Sequence, residues 1–312
     1  MKNATFRQLR FFNAVARHLS FARAAEDLHV SAPAVTMQIK ELEAEVGMPL
    51  FERQGRKISL STSGEYMLVY SRRMMALLKD AEDAAARLQR VETGSLTIGL
   101  VGTTTYFIPA LLNQFLQEHE GIEVKMMVGN RRELVQWLQH SEVDIAVMGK
   151  APDEMPTRAE PFAANPLVFV ASPSHPLAGV TGLRAEDLRD QAFIVREPGS
   201  GTRTAMESFF SQAKLPPRYS MTLHSNDAIK QAVMANLGLG FLSLHTIAME
   251  LQLKRLCVLP VNGTPLVRAW NLVHTLSKLL SPATEAFRYF VLEHAETQLA
   301  AQFGDLWQPP AA

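Results

Sequence analysis

Three helical patterns separated by turn signals fill the first 60 residues, and they restrict the fold more than any other part of the chain. Apolar side chains recur every three or four positions in residues 6–19, which predicts an amphipathic helix. Ser20 is a predicted N-cap for a second, short helix. Ser31 is the predicted N-cap of a third helix, which has Pro33 in its first turn, where proline is tolerated. With a turn at residues 29–30, the pattern indicates a helix-turn-helix.

The third predicted helix has one apolar face and one small, polar face. The polar face has the dimensions that fit the major groove of DNA. There the Thr36 methyl can meet a thymine methyl and its hydroxyl a base edge, while Lys40 can meet a phosphate. Met37 cannot donate a bidentate hydrogen bond. The predicted groove-facing residues are Pro33, Thr36, Met37 and Lys40, unless they only face solvent.

Residues 50–58 predict a two-stranded wing behind this helix, with a turn at Gly55. Arg53 and Arg56 are expected to contact phosphates or the minor groove. The charge distribution agrees with DNA binding by one end of the chain. The chain has 31 basic and 31 acidic residues, but residues 1–90 hold fourteen basic against ten acidic ones.

Residues 62–93 predict one long helix with a heptad pattern. Thr62 and Glu65 have the spacing of a capping box at its start. A helix of about 30 residues is roughly 45 Å long, so pairing with a second copy is the expected way to bury its seam. The alternative is packing on its own chain. Residues 93–95 are expected to end the helix as a hinge. The predicted dimerisation residues are Met67, Tyr70, Met74, Leu77, Ala81, Ala84 and Leu88.

From residue 96 onwards short strands alternate with helices. Residues 96–148 have the order β-α-β-α-β, which is typical of a parallel sheet with helices on both faces. Proline-containing stretches at residues 152–161 and at Pro166 interrupt the pattern. A second α/β unit spans residues 193–243, and a last strand–helix pair returns the chain to the first. We therefore expect two lobes joined by two crossovers, with a cleft between them.

Two loops at corresponding places in the two lobes, residues 102–105 and 197–203, offer hydroxyl and backbone N–H groups at helix starts, where anions bind. Arg131 and Arg268 are expected nearby. The alternative is that both loops are only turns and caps. The predicted effector-binding residues are Thr103, Thr104, Lys150, Arg196, Ser200, Gly201, Thr202 and Arg203.

Other classes of function lack their sequence signals. One cysteine, Cys257, excludes an intramolecular disulfide and a thiolate zinc cluster, and its apolar surroundings predict a buried thiol. The nine histidines are dispersed, without metal-ligand spacing. No nucleophile elbow or phosphate-binding loop motif occurs, and no apolar run is long enough to span a membrane. We therefore expect no catalytic residue, metal or cofactor, and a cytoplasmic location.

Seven motifs follow one another in the chain. They are QLRFF at residues 8–12, SFARAA at 20–25, LHVSAPAVT at 28–36, LE at 42–43, PLFER at 49–53, LSTSGE at 60–65 and GSLTIG at 94–99. Together they resemble the LysR-type transcriptional regulators over essentially the whole chain. Residues 129–131 and 172–178 resemble the branch that regulates Calvin-cycle (RuBisCO) operons.

The resemblance implies a winged helix-turn-helix, a linker helix and a two-lobed α/β effector domain like a periplasmic binding protein. It also implies that Ser31 and Ala32 belong to the groove-contacting set. The implied domains are residues 1–61, 62–93 and 94–312, the last divided into lobe I (about 94–163 and 267–297) and lobe II (about 164–266).

The implied partners are a double-stranded operator, RNA polymerase and a small anionic, phosphorylated metabolite. The chain is expected to form a homodimer that assembles into a homotetramer. Three alternatives remain: a regulator of another metabolic operon with a carboxylate effector, a DNA-tethered enzyme, and a nucleoid-type binder without a ligand response.

Overall fold

The computed structural model describes residues 4–54, 57–88 and 94–306. The chain divides into two compact units, one of residues 1–89 with 140–142 and one of residues 90–139 with 143–312. The first unit contains helices α1 (Phe6–His18), α2 (Phe21–Asp27), α3 (Ala32–Val46) and α4 (Thr62–Leu88) and strands β1 (Phe51–Gln54) and β2 (Lys57–Leu60).

Local capping explains where the first helices begin. The Thr5 hydroxyl accepts a hydrogen bond from the backbone N–H of Gln8, and the Gln8 side chain accepts one from the Thr5 N–H. Ser20 and Ser31 cap α2 and α3 as predicted. The buried faces of these helices meet in one core, which includes Phe11, Phe12, Val35, Ile39 and Leu42. The helix-turn-helix and the antiparallel wing are therefore confirmed as folded elements.

Helix α4 begins one residue earlier than the predicted cap implies. Its N-cap is Ser61, whose hydroxyl accepts from the N–H of Gly64 at 3.0 Å, whereas Thr62 is the first helical residue. The predicted capping box at Thr62 is therefore wrong. A hydrogen bond of 3.0 Å from the hydroxyl of the buried Ser71 to Asn13 Oδ1 joins α4 to α1.

The predicted seam of α4 is split between two environments. Met67 is buried in the helix-turn-helix core, and Met74 packs against that core. Tyr70 and Leu77 are exposed, with 59% and 63% of their surface accessible. The first part of the helix therefore agrees with both alternatives for its seam. It packs on its own chain, and it also leaves an apolar stripe exposed that a second copy could cover. Two further predicted seam residues, Ala84 and Leu88, lie beyond the described side chains.

The second unit contains nine strands and six helices in its described residues. The strands are β3 (Gly94–Val101), β4 (Ile122–Gly129), β5 (Ile145–Met148), β6 (Thr157–Ala171), β7 (Ala192–Arg196), β8 (Arg218–Leu223), β9 (Gly240–Ser243), β10 (Cys257–Leu259) and β11 (Leu266–Thr275). The helices are α5 (Ile108–Glu118), α6 (Arg131–Gln139), α7 (Gly201–Gln212), α8 (Asn226–Met234), α9 (Ala248–Gln252) and α10 (Pro282–Phe303).

The main sheet is mixed, so the expectation of a parallel sheet is only partly right. Strand β3 pairs in parallel with β4 and β5, whereas β6 and β11 pair antiparallel with each other. These two long strands carry the chain between two cores, one containing Phe162 and Trp270 and the other Leu167 and Phe169. The two-lobed α/β fold is therefore confirmed.

The proline stretches do not interrupt β6, contrary to the sequence-based expectation. Strand β6 runs through Pro161 and Pro166. The pairing register with β11 shifts between Trp270 and Asn271, and Pro161 lies opposite Asn271 at this irregularity. A bulge is a position where a strand tolerates a residue without an N–H donor.

Two further expectations need correction. Gly94 and Ser95 are not a hinge, because they begin β3 and pair with Ile122 and Glu123; Thr93 lies outside the described residues. Cys257 is half-buried rather than buried, and its partial burial raises the pKa of the thiol.

Candidate functional site

The outer face of α3 is open in the first unit. Ser31, Pro33 and Lys40 are exposed, and Met37 has 55% of its surface accessible. Ala32 and Thr36 are half-buried. The Thr36 hydroxyl donates to the Ala32 carbonyl at 3.0 Å, so its methyl group and its lone pairs remain for a base edge. The predicted groove-facing set therefore shares one accessible helix face.

The wing follows α3 as expected. Strands β1 and β2 pair antiparallel, with Phe51 opposite Leu60 and Arg53 opposite Ile58. Phe51 packs its ring against Phe12 at 5.4 Å, which fixes the wing to the helical core. The Arg53 side chain and the whole of Arg56 lie outside the described part, so their phosphate contacts stay predictions.

In the second unit a cavity lies where the two lobes meet. Its enclosed volume is about 50 Å³, the space of one or two water molecules. A neighbouring outer pocket of about 410 Å³ shares four of its lining residues: Arg131, Lys150, Gly201 and Arg268. The inner cavity is lined by loop residues that follow β3, β5 and β7 and by two residues each from β6 and β11.

Six of the eight predicted effector residues line the inner cavity: Thr103, Lys150, Arg196, Ser200, Gly201 and Thr202. Thr104 does not, because it is fully buried and donates its hydroxyl to the Val101 carbonyl. Arg203 also does not. Helix α7 begins at Gly201, inside the predicted loop of residues 197–203, and Arg203 extends over the Tyr219 ring and bonds Glu207.

Arg196 is buried but already neutralised. Its guanidinium makes two hydrogen bonds of 2.8 and 3.0 Å to the Glu197 carboxylate and a third to Asn226 Oδ1. The Asn226 amide in turn donates to the Thr103 hydroxyl at 3.2 Å. This chain of bonds joins the loop after β3 in one lobe to α8 in the other. Arg196 therefore positions the cleft loops rather than supplying a free charge.

Two further cations at the cavity also have acidic partners. Arg131 forms two bonds of 3.1 Å with Glu154, and the hydrogen bond from Arg131 lowers the Glu154 pKa to about 2. Lys150 pairs with Asp153 at 2.7 Å, and both side chains are largely exposed. Neither cation is an isolated positive charge in the cavity.

Arg268 differs from these three cations. Within the described part of the chain its guanidinium has no hydrogen-bond or ion-pair partner, and burial lowers its pKa. The start of α7 faces the same cavity. Helices leave their first N–H groups without an internal acceptor, and the Ser200 hydroxyl does not cap them. The arrangement therefore suits an anion held between Arg268 and the first turn of α7.

Sequence reasoning missed three residues of this region. Asn165 and Trp270 project into the cavity from the crossing strands, and Asn226 connects the lobes. A second connection joins the Tyr106 hydroxyl to Asp227 at 2.7 Å, and burial together with this bond raises the Tyr106 pKa to about 12. No local motif marks these residues, because the groups that they meet in the cleft belong to separate parts of the chain; Asn226 and Thr103, for example, are 123 positions apart.

Two features of the described residues concern the other classes of function. Among the described residues, no group of three or more histidine, cysteine, aspartate or glutamate side chains is arranged to hold a metal ion. No described helix is both long and apolar enough to cross a membrane.

Comparison with protein families assigns both units. The model of the bacterial regulatory helix-turn-helix protein, lysR family, matches residues 6–65, and that of the LysR substrate binding domain matches residues 89–296. These are models of transcriptional regulators rather than of enzymes.

Individual relatives cover nearly the whole chain. The HTH-type transcriptional regulator CfxR of Cupriavidus necator is 45% identical over 306 residues, 98% of this chain and 96% of the relative. A RuBisCO operon transcriptional regulator of Allochromatium vinosum is 46% identical over 293 residues, 94% of this chain and 97% of the relative. The regulatory domain of Synechocystis PCC6803 CcmR, solved in complex with 2-PG, has a TM-score of 0.62 and 36% identity, covering 64% of this chain and 96% of that one. The chain therefore belongs to the LysR family of bacterial transcriptional regulators.

Proposed function

We propose that the chain controls transcription of a carbon-fixation operon in response to a small phosphorylated metabolite that binds in the cleft. The observation that carries the effector class is the unpaired, partly buried Arg268 in the cavity that faces the start of α7. A guanidinium and free helix N–H groups provide only donors, which match the acceptor oxygens of a phosphate. The operon class follows from the similarity to a RuBisCO operon regulator.

The accompanying partners follow from the same proposal. The open face of α3 and the wing bind a double-stranded operator, and the exposed stripe of α4 pairs with a second copy of the chain. The dimers assemble into a tetramer that acts on RNA polymerase. A protein that binds the bacterial operator in this way works in the cytoplasm.

The mechanism couples cleft and DNA through linkage. A ligand that contacts both lobes favours the closed arrangement by its difference in affinity for the open and closed states. Closure changes how the paired sensor domains pack, alters the spacing of the DNA-binding units and so changes the bend of the operator.

The test is a gel shift and footprint, at several controlled salt concentrations, on the DNA that flanks the gene of this protein. The added compounds are ribulose bisphosphate, phosphoglycolate, phosphoenolpyruvate and NADPH, beside carboxylates without phosphate. A specific footprint that shortens or moves with a phosphorylated compound supports the proposal. One that moves only with a carboxylate favours a different metabolic operon, and binding without sequence specificity favours a nucleoid-type protein.

A further inference from the structure

Asn165 and Arg268 are directly opposite each other on the two crossing strands. Strand β6 places Asn165 against Arg268 of β11 in the antiparallel register, and both side chains line the inner cavity. Residues that face each other in such a pair have Cβ atoms about 5 Å apart. A small ligand that touches one of these side chains is therefore within reach of the other.

The Asn165 amide is buried without a partner. Only 5% of its residue surface is accessible, and within the described part of the chain its Oδ1 has no hydrogen-bond donor. Nor does any described group bond its Nδ2. Rotating the amide by half a turn exchanges the two atoms and still leaves a carbonyl oxygen without a donor. A buried, unsatisfied acceptor destabilises the protein unless something else supplies the donor.

The two side chains demand different groups of one ligand. Arg268 has donors only and requires an anion, whose oxygens are acceptors. The Asn165 oxygen requires a donor, which a fully ionised phosphate or carboxylate lacks. A cationic amine is disfavoured there, because the nearby Arg268 would repel it. Among the groups that a ligand can carry, the remaining donor is a hydroxyl close to the anionic group.

The space in the cleft agrees with a ligand that places its hydroxyl group at Asn165 and its anionic group at Arg268. The inner cavity, at about 50 Å³, admits a hydroxyl-bearing carbon but little more, while Arg268 also lines the outer pocket of about 410 Å³. Gly149 also lines the inner cavity, and a Cβ there would be in van der Waals contact with Asn165 Nδ2, at 3.7 Å, and with the Trp270 ring, at 3.9 Å. A ligand can therefore place its hydroxyl in the inner cavity and its anionic group where the inner cavity meets the outer pocket.

We propose that Asn165 recognises a hydroxyl group adjacent to the anion held by Arg268, so that the effector is a hydroxylated phosphate. This inference rests on the proposed function, because it specifies the ligand of the same cleft. It assigns Asn165 the role of a specificity-determining residue, and it ranks compounds that carry both groups above phosphates that lack a hydroxyl.

The test compares two probes that differ by one hydroxyl: D-3-phosphoglycerate and 3-phosphooxypropionate, which has the same chain, phosphate and carboxylate. The Kd of each for the full-length protein is measured by isothermal titration calorimetry, with 2-phosphoglycolate as a third, shorter probe. We expect the hydroxylated probe to bind about tenfold more tightly than its deoxy analogue, as one hydrogen bond provides. This comparison uses the unaltered protein and does not depend on the folding of a variant.

Substitution then assigns the preference to a residue. In Asn165→Ala the ratio of the two Kd values should fall to about one, while Asn113→Ala, an exposed position on α5, should keep the tenfold ratio. Equal Kd values in the unaltered protein, or a ratio that survives in Asn165→Ala, overturn the inference but leave the phosphate site intact. If none of the three probes binds, the phosphorylated effector of the proposed function is wrong, and the inference fails with it.

Discussion

The indole Nε1 of Trp270 donates a hydrogen bond of 3.2 Å to Nδ1 of His245, and both side chains are buried. Because Nδ1 accepts this bond, the imidazole is neutral and carries its proton on Nε2. Trp270 also lines the inner cavity. The state of His245 is thereby connected, through one hydrogen bond, to a wall of the cleft.

This relationship predicts a pH dependence of stability. Burial lowers the His245 pKa from 6.5 to about 4, so the unfolded chain takes up the proton at a higher pH than the folded one. Stability should therefore fall as the pH drops from about 6.5 towards 4. Between pH 7.5 and 5.0 the loss attributable to this group is on the order of 2 kcal/mol. Urea unfolding of the unaltered protein and of His245→Asn at both pH values measures it. Equal losses in the two proteins would contradict the assignment.

A second prediction concerns the two arginines that the sequence placed together at the cleft. Arg268→Gln should weaken phosphate binding by tenfold to a hundredfold, because a charge-assisted hydrogen bond contributes about 1.5–3 kcal/mol. Arg203→Gln is the matched control, since Arg203 bonds Glu207 and the Arg196 carbonyl instead of lining the inner cavity. Calorimetry with 2-phosphoglycolate distinguishes them. Equal losses in both variants would show that the sequence-based assignment of Arg203 was right.

The exposed stripe of α4 predicts the effect of a charge on assembly. Tyr66, Tyr70 and Leu77 are each more than half exposed along this helix. Leu77→Glu should dissociate the dimer, because a carboxylate in an apolar helix seam is costly to bury. Leu276→Glu, at an equally exposed leucine in the second unit, should leave assembly unchanged. Sedimentation velocity gives the masses, and an unaltered mass of Leu77→Glu would exclude the stripe as the pairing face.

The outer face of α3 predicts two separable effects on DNA binding. Lys40→Ala should reduce the slope of log affinity against log salt by about one, equally for all sequences, since one phosphate contact is lost. Met37→Ala should keep the slope and change the base preference at one position. Salt-dependent binding to the specific site and to random DNA separates these outcomes. A changed slope with Met37→Ala, or an unchanged one with Lys40→Ala, would contradict the proposed contacts.

The sequence predicted what depends on neighbouring residues. The helix-turn-helix, its serine caps and most strands follow from local spacing and hydrogen bonds. Prediction from the sequence failed where a partner far away in the chain decides the local structure or the burial of a residue. The bulge that accommodates Pro161 depends on β11, more than 100 residues later, and Met67 is buried because α4 packs against the helical core.

In the cleft, too, the features set by neighbouring residues were predicted and those set by distant partners were not. Both loops were predicted, because strand–loop–helix junctions are local features. Which arginine is unpaired was not predictable, since it depends on contacts between distant side chains. Arg196 bonds Asn226, and Arg131 bonds Glu154, whereas no described group forms a hydrogen bond or ion pair with the Arg268 guanidinium. The opposition of Asn165 and Arg268 appears only once the two crossing strands are aligned.

The most direct test of the central claim measures the operator complex while the cleft is filled. Footprint and bend angle are recorded for the unaltered protein and for Arg268→Gln on the same operator, with and without a saturating phosphorylated probe. We expect equal DNA binding by both proteins without the probe, and with the probe a shorter footprint and a changed bend only for the unaltered protein. If the probe saturates the cleft, as calorimetry on the same sample shows, and yet leaves footprint and bend unchanged, the cleft is not coupled to the operator.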